Sequence, residues 1–352
     1  MTSETLSSWI YRKNRLMVKN ILGLLFLFFI SDVNAQYKKY TYETQRMGSP
    51  FRITISCADS NGISKTVKQT FQLATELESQ LSDYQAQSDL SQVNHLAGTG
   101  TFYPIQEPFQ AILKESLLAQ KLTASALNVF IGRPVRLWRE ARKLQQMPDV
   151  VALQQIAQKI QGPCLEFSTD STCIRLTNSA CQLDLGSLGK GFVAQRVMEK
   201  IKQDGFPYVL VDAGGKIAMT SQGPNDLPWQ VGIESPVSKA LLPEVLALKN
   251  VSIATSGKTY QSVRLGDVSY SHVIDPRTGM ALTHSRSATA IAEDGTLADW
   301  LATAATVMNV QEIEELLVKL TNVRLMVFEN ESGEPKILFN HKLIPHETPR
   351  PH

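Results

Sequence analysis

The segment Asp184-Leu-Gly-Ser-Leu-Gly-Lys-Gly191 sets Gly186, Gly189 and Gly191 between a strand-like stretch at 182–185 and a helically spaced one at 192–201. A chain that leaves a strand, turns on glycines and enters a helix presents backbone N–H groups at the helix start. Glycine lets that backbone approach a ligand closely, and free N–H groups suit phosphate oxygens. Lys190 adds a positive charge at the same place. The segment is not a Walker A loop, because the longer Gly-to-Gly spacing and the Ser or Thr after the lysine are both missing.

The apolar periodicity around this turn sets the fold class. Val67, Phe71, Leu73, Leu77 and Leu81 recur at helical spacing, and 109–122, 150–160, 192–201, 297–308 and 310–319 read as helices. Residues 52–57 alternate as a strand. Residues 173–176 and 182–185 read as paired strands joined by Asn178 and Ser179. From Tyr208 the chain turns strand-rich, at 208–212, 229–233, 252–255, 269–274 and 288–292, with a hairpin of 324–328 and 337–339. Helices and strands interleave without the regular alternation of a doubly wound sheet, so the class is α+β, mixed sheets flanked by helices.

The N-terminus has the pattern of an export signal. Arg12, Lys13, Arg15 and Lys19 precede an apolar run at 21–30, and Val33-Asn34-Ala35 follows. A charged region, a short apolar run and a small-residue site predict a signal peptide at 1–35 and an exported, periplasmic or extracytoplasmic protein. A membrane-spanning helix needs about 20 apolar residues, twice this run. One large domain is expected over 36–340, with a loose proline-containing tail at 341–352. Removing 1–35 takes four of the 35 basic and two of the 33 acidic residues and leaves the two signs equal. Without a basic excess, nucleic acid is excluded as a partner. Cys57, Cys164, Cys173 and Cys181 form no CxxC pair, which sets aside a thiolate metal site. Pairing of Cys164 or Cys181 with Cys173 across neighbouring strands is one reading, and small buried side chains are the other.

Two further segments carry chemistry. In Ala298-Asp-Trp-Leu-Ala-Thr303, Asp299 and Thr303 stand four apart at the margin of a helical apolar stripe. A carboxylate and a hydroxyl one turn apart suit Mg²⁺, although such pairs are also common on ordinary helices. In Tyr270-Ser-His-Val-Ile-Asp-Pro-Arg-Thr-Gly279, His272 and Asp275 lie at a strand end running into a turn, a usual support for catalytic groups.

Taken in order, these segments resemble the FAD:protein FMN transferase (ApbE) family. The likeness begins at Met47-Gly-Ser and continues through Leu81-Ser-Asp-Tyr84, Leu90-Ser-Gln-Val-Asn94, Gly132 and Leu137-Trp138. It then passes the glycine turn, Val211 to Gly215, Ala254 to Gly257, Ser271 to Gly279 and Ala298 to Thr303. The resemblance implies a fold related to the tunnelling fold, with FAD in a cleft between two halves. It implies Met47, Tyr84, Asp184, Lys190 and the backbone at Val273 against FAD, with Ala126, Leu127 and Asn128 lining the flavin. Mg²⁺ falls to Ser187, through its backbone carbonyl, with Asp299 and Thr303. Two departures stand out: Leu127-Asn-Val-Phe130 where most members read Phe-Asp-Pro-Thr, and Gly214-Gly-Lys216 where Gly-Gly-Asp is usual.

The implied reaction is transfer of FMN from FAD to a Ser or Thr hydroxyl of an exported or membrane redox protein, with peripheral membrane association through that acceptor. Breaking the diphosphate puts charge on AMP and on the transferred phosphoryl group, which a cation and Lys190 offset. His272, and after it Asp275, are the candidates to take the acceptor proton. Hydrolysis of FAD to FMN and AMP, and non-catalytic FAD carriage, are the alternatives.

Overall fold

The computed structural model describes residues 37–234, 241–257, 262–331 and 334–343. The expected leader at 1–35 lies outside the described residues, as does the tail beyond Leu343. Among the described residues no helix is long and apolar enough to cross a membrane.

Fifteen strands and eight helices are described. The chain opens with β1 (Lys38–Arg46), β2 (Ser49–Cys57), α1 (Ile63–Leu81), α2 (Asp89–His95), β3 (Tyr103–Pro104), α3 (Glu107–Leu122), α4 (Gly132–Leu144) and α5 (Val150–Ile160). It continues with β4 (Leu165–Phe167), β5 (Cys173–Leu176), α6 (Gly189–Gln203), β6 (Val209–Ala213), β7 (Lys216–Met219), β8 (Trp229–Glu234), β9 (Leu241–Leu248) and β10 (Val251–Gly257). Last come β11 (Ser262–Leu265), β12 (Val268–Ser271), β13 (Arg286–Ala292), α7 (Gly295–Val307), α8 (Val310–Leu317), β14 (Arg324–Glu331) and β15 (Glu334–His341).

The main sheet has the order β1-β2-β6-β7-β10-β13-β14-β15, and every pairing from β2 to β15 is antiparallel. Its two faces follow from strict alternation. On β13, Ala288, Ala290 and Ala292 join the large core beneath the helices, while Ile291 joins Met219, Trp229, Ile253, Met326 and Phe328 on the opposite face. The β8–β9 hairpin supplies Trp229, Val231, Ile233 and Leu248 to that second face. Three of the helix-facing positions of β13 are alanines, and α7 adds Ala298, Ala302, Ala304 and Ala305. Small side chains on both surfaces let α7 lie close on β10 and β13. Beside it, α6 packs on β6, β7 and α7.

Helix α5 spans the predicted 150–160, and the strand-rich second half is borne out as β6, β8, β10, β13, β14 and β15. Residues 182–185 do not pair with β5, which lies instead between β3 and β4. The reason is a remote partner: the Asn94 side chain takes both backbone groups of Leu183, at 2.8 and 2.6 Å. The cysteines also pair differently from the expectation. Cys164 is bonded to Cys181, and Cys57 and Cys173 are free. On β5, Ile174 and Leu176 point into the core and turn Cys173 away from it, whereas Cys164 and Cys181 are both buried. Strand β15 ends at His341, and Leu343 is buried in the cluster on the second face.

Candidate active site

The glycine turn is held from three sides. Asn94 clamps Leu183, the Asp184 N–H donates to Val129 O at 2.7 Å, and Asp184 Oδ1 accepts the Gly186 N–H at 2.9 Å. Helix α6 then starts at Gly189, and its N-cap residue Leu188 offers no capping side chain. The orphan N–H of Gly191 is satisfied from another helix, by Asp299 Oδ2 at 2.9 Å. That bond requires a close crossing. A Cβ on Gly191 would lie 2.0 Å from Gly295 O, and one on Gly295 would lie 2.5 Å from Gly191 O.

Across this crossing two of the residues expected at the metal, Thr303 and Ser187, meet. Thr303, one turn after Asp299 on α7, has its Oγ1 at 3.4 Å from Ser187 O and 3.4 Å from Ser256 Oγ. Asp299 is only 1% exposed, and its Oδ1 has no hydrogen-bond partner. A buried carboxylate oxygen without a partner is costly unless something else fills its coordination. Burial pushes the Asp299 pKa up, opposed by the charge of Lys216, the Gly191 hydrogen bond and the charge of Lys190. Among the described residues no group of three or more His, Cys, Asp or Glu is placed to share a metal. The donors here are therefore one carboxylate with a hydroxyl and a carbonyl, a hard-oxygen set that fits Mg²⁺ and not zinc.

Met47 adjoins the same turn. It has a left-handed backbone (φ 50°), donates its N–H to Glu78 Oε1 at 2.9 Å, and lays its Cε against Gly189 at the start of α6. Lys190 is half-buried, its pKa pushed down by burial first and by Lys216 second, with Asp299 opposing. Tyr84 is 77% exposed and stacks under the Arg139 guanidinium at 4.3 Å. Arg139 also bonds Asp83 and reaches Asp184 Oδ2 at 3.3 Å, tying the exposed ring to the glycine turn. Burial and the neighbouring Asp83 charge push the Asp184 pKa up to about 6, against the pull of Arg139.

Ala126, Leu127 and Asn128 are buried behind two consecutive left-handed residues, Ala124 and Ser125. Asn128 Nδ2 donates to Ile160 O at 3.0 Å and Oδ1 accepts the Phe130 N–H at 2.9 Å. Its amide thus braces the chain, and an Asp there would lack the donor for Ile160. Val273 is buried, with its N–H on Ser271 Oγ and its carbonyl on the Leu282 N–H. His272 beside it is half-buried. Both Asp275 oxygens are bonded by Arg277, which also pairs with Glu312, and the turn packs Gly279 against Leu153 with Trp138 Nε1 on Gly279 O.

Sequence reasoning did not single out Asn94 or Arg139 for a role, and Lys216 entered only as a departure from a pattern. Their partners are remote in sequence. Only the unusual Gly-Gly-Lys order carried a signal.

The family model described as the ApbE family matches residues 47–327. A FAD:protein FMN transferase of Haemophilus influenzae is 24% identical over 328 residues, covering 90% of this chain and 94% of that one. One of Escherichia coli is 28% identical over 291 residues, covering 78% and 80%. Among solved structures, the flavin transferase ApbE from Vibrio cholerae superposes with a TM-score of 0.75 at 23% identity, over 87% of this chain and 98% of that one. The apo flavinyl transferase ApbE of Pseudomonas stutzeri gives 0.76 at 20%, over 87% and 96%. A model match over most of the chain, on a fold shared nearly end to end, makes this chain a member of the ApbE family.

Proposed function

We propose that this chain transfers the FMN half of FAD to a Ser or Thr hydroxyl of a partner protein and releases AMP. The observation that carries the reading is Asp299 Oδ1, a buried carboxylate oxygen without a partner, one turn from the hydroxyl that meets the Ser187 carbonyl. The names of the relatives support the flavin chemistry.

When bound by Asp299, Thr303 and Ser187, Mg²⁺ supplies charge neutralisation at the diphosphate. Lys190 and the start of α6 hold the phosphates by charge and N–H groups. Tyr84, backed by Arg139, offers an exposed ring for stacking on an aromatic part of FAD. Met47 flanks the turn with apolar surface, and the buried 126–128 segment forms the wall on which the flavin is expected. The acceptor oxygen forms a bond to the phosphorus attached to FMN, the anhydride bond breaks, and AMP leaves with that bond's electrons. His272 accepts the hydroxyl proton. Asp275, bonded through both oxygens to Arg277, holds the turn on which His272 stands.

An exported, periplasmic or extracytoplasmic setting, with a signal peptide at 1–35, goes with this reading, and the buried Cys164–Cys181 disulfide supports an oxidising compartment. The acceptor is then an exported or membrane redox protein. The test is intact mass spectrometry of a candidate acceptor after incubation with the full chain, FAD and Mg²⁺. A gain of one FMN is expected. Free FMN and AMP without that gain indicate hydrolysis, and unchanged FAD indicates carriage.

A further inference from the structure

Residues 271–282 fold back on themselves as a narrow hairpin that carries His272. Leu282 O accepts the Ser271 N–H at 2.7 Å and the Leu282 N–H donates to Val273 O at 2.9 Å, so His272 stands between two bonds to one residue. The Asp275 N–H donates to Met280 O at 2.9 Å and the Gly279 N–H to Asp275 O at 2.8 Å, with Gly279 closing the tip in the left-handed region at φ 75°. A hairpin of two short legs is marginally stable alone, so its seat comes from what holds it.

Three holds fall on backbone at the tip. Trp138 Nε1 donates to Gly279 O and Gln161 Nε2 to Pro276 O, both at 3.0 Å, and Leu153 O would lie 2.7 Å from a Cβ on Gly279. The fourth runs through side chains. Arg277 puts its backbone N–H and its Nε on Asp275 Oδ1 and its Nη2 on Oδ2, each at 2.9 Å, and reaches outward with Nη1 to Glu312 Oε1 at 2.6 Å. Asp275 and Arg277 are two positions apart, so their pairing stiffens the tip without fastening it to another element. Glu312 supplies the fastening. Its Oε2 accepts the Asn309 N–H at 2.8 Å and its N–H donates to Asn309 Oδ1 at 2.9 Å, a capping box at the start of α8, and α8 buries Ile313, Leu316 and Leu317. One guanidinium thus lies between two carboxylates, and its planar fork fixes direction as well as distance.

We propose that Glu312 is a positioning residue for FMN transfer: through Arg277 it moors the hairpin to α8 and sets where His272 stands when the acceptor hydroxyl gives up its proton. The inference rests on the reading of His272 as proton acceptor and extends it to a residue 35 positions beyond Arg277, on another element. A misplacement of about 1 Å in such a group can cost about 100-fold in rate. A partly exposed ion pair adds little to stability, so a loss of rate at Glu312 is separable from a loss of fold.

The experiment is steady-state kinetics of the full chain with Mg²⁺, FAD and one fixed acceptor, alongside urea denaturation. Glu312→Gln leaves a single carbonyl oxygen, which can serve Asn309 or Arg277 but not both. It should lower kcat by about ten-fold or more, hold KM for FAD within about two-fold and keep the urea midpoint close to wild type. Arg277→Lys keeps the charge but cannot span both carboxylates, and should show the same pattern. In a His272→Asn background, Glu312→Gln should cost no more than about two-fold, because the group it positions is gone. Asn309→Ala removes the cap and spares the ion pair; it should lower the urea midpoint and leave kcat within about two-fold. An unchanged kcat in Glu312→Gln, an equal loss in the His272→Asn background, a matching rise in KM for FAD, or a kcat loss in Asn309→Ala as large as in Glu312→Gln would each overturn the proposal. Wild-type kcat in His272→Asn alone would remove the proton-acceptor reading itself.

Discussion

The N–H of Gly191 on α6 donates to Asp299 Oδ2 on α7 at 2.9 Å, and this single bond fixes the carboxylate whose other oxygen is left open. Asn at 299 keeps a carbonyl for Gly191 and puts an uncharged NH2 where the open oxygen stood. Asp299→Asn should therefore fold with an unchanged far-UV circular dichroism spectrum and a similar Tm, yet lose FMN transfer by about 100-fold or more, the cost of losing a cation ligand. Full activity in that variant would refute the metal assignment.

The same crossing is intolerant of a methyl group. A Cβ at Gly191 would meet Gly295 O at 2.0 Å and Asp299 Cβ at 2.7 Å, and neither neighbour is a flexible side-chain end. Gly191→Ala should destabilise by at least the roughly 1–3 kcal/mol of an overpacked core. Urea denaturation would register the loss as a lower midpoint, and a midpoint equal to wild type would show that the two helices part easily.

Asp184 makes stability depend on pH with an unusual sign. Its pKa rises from the ordinary carboxylate range to about 6, by burial first and Asp83 second. The folded state then takes up protons between the two values, so stability is present below the unfolded value near 4 and is lost as pH rises through about 6. Asp184→Asn should abolish that decline and raise stability near pH 7.5 by roughly 1–3 kcal/mol. The same variant should bind FAD more weakly. Parallel pH-stability curves for the two proteins would contradict the assignment.

Proton transfer and binding should separate at His272. Its replacement by Asn is expected to lower kcat by about 100-fold or more with little change in KM for FAD, the mark of a group acting in the transition state. Steady-state kinetics on a fixed acceptor would decide, and an equal loss in affinity would make His272 a binding residue.

The Cys164–Cys181 bond closes a short loop running from the end of α5 to the approach to the glycine turn. Cross-linking a loop of this length stabilises by roughly 3 kcal/mol. A Cys164→Ser/Cys181→Ser variant should unfold at a lower urea concentration, and reductant should shift wild type, but not the variant, by a comparable amount.

Local pattern made much of this molecule legible in the sequence. The apolar spacing of Leu153, Ile156, Ala157 and Ile160 defines α5 over its full length, and Asp299 and Thr303 needed only the helical repeat to share a strip. What escaped was decided by partners far along the chain. Leu183 looks like a strand residue until Asn94, 89 positions earlier, takes its backbone groups. The orientation of Asn128 is set by the carbonyl of Ile160, 32 positions on, which holds its amide. Gly191 is visible as a glycine, but the reason for it stands on a helix 108 residues away. Charge placement is equally non-local: Lys216 is one more surface lysine until β10 brings its ammonium to the carbonyl of Thr255.

The alanine floor that β13 lays beneath α7 has a mechanical outcome. A rod seated so deeply has no room to roll, so the oxygens it carries wait at fixed coordinates before any nucleotide arrives. If the diphosphate lies over this helix as proposed, choice among acceptor proteins falls to whatever shape lies at the rim, since the anvil beneath does not shift for a newcomer.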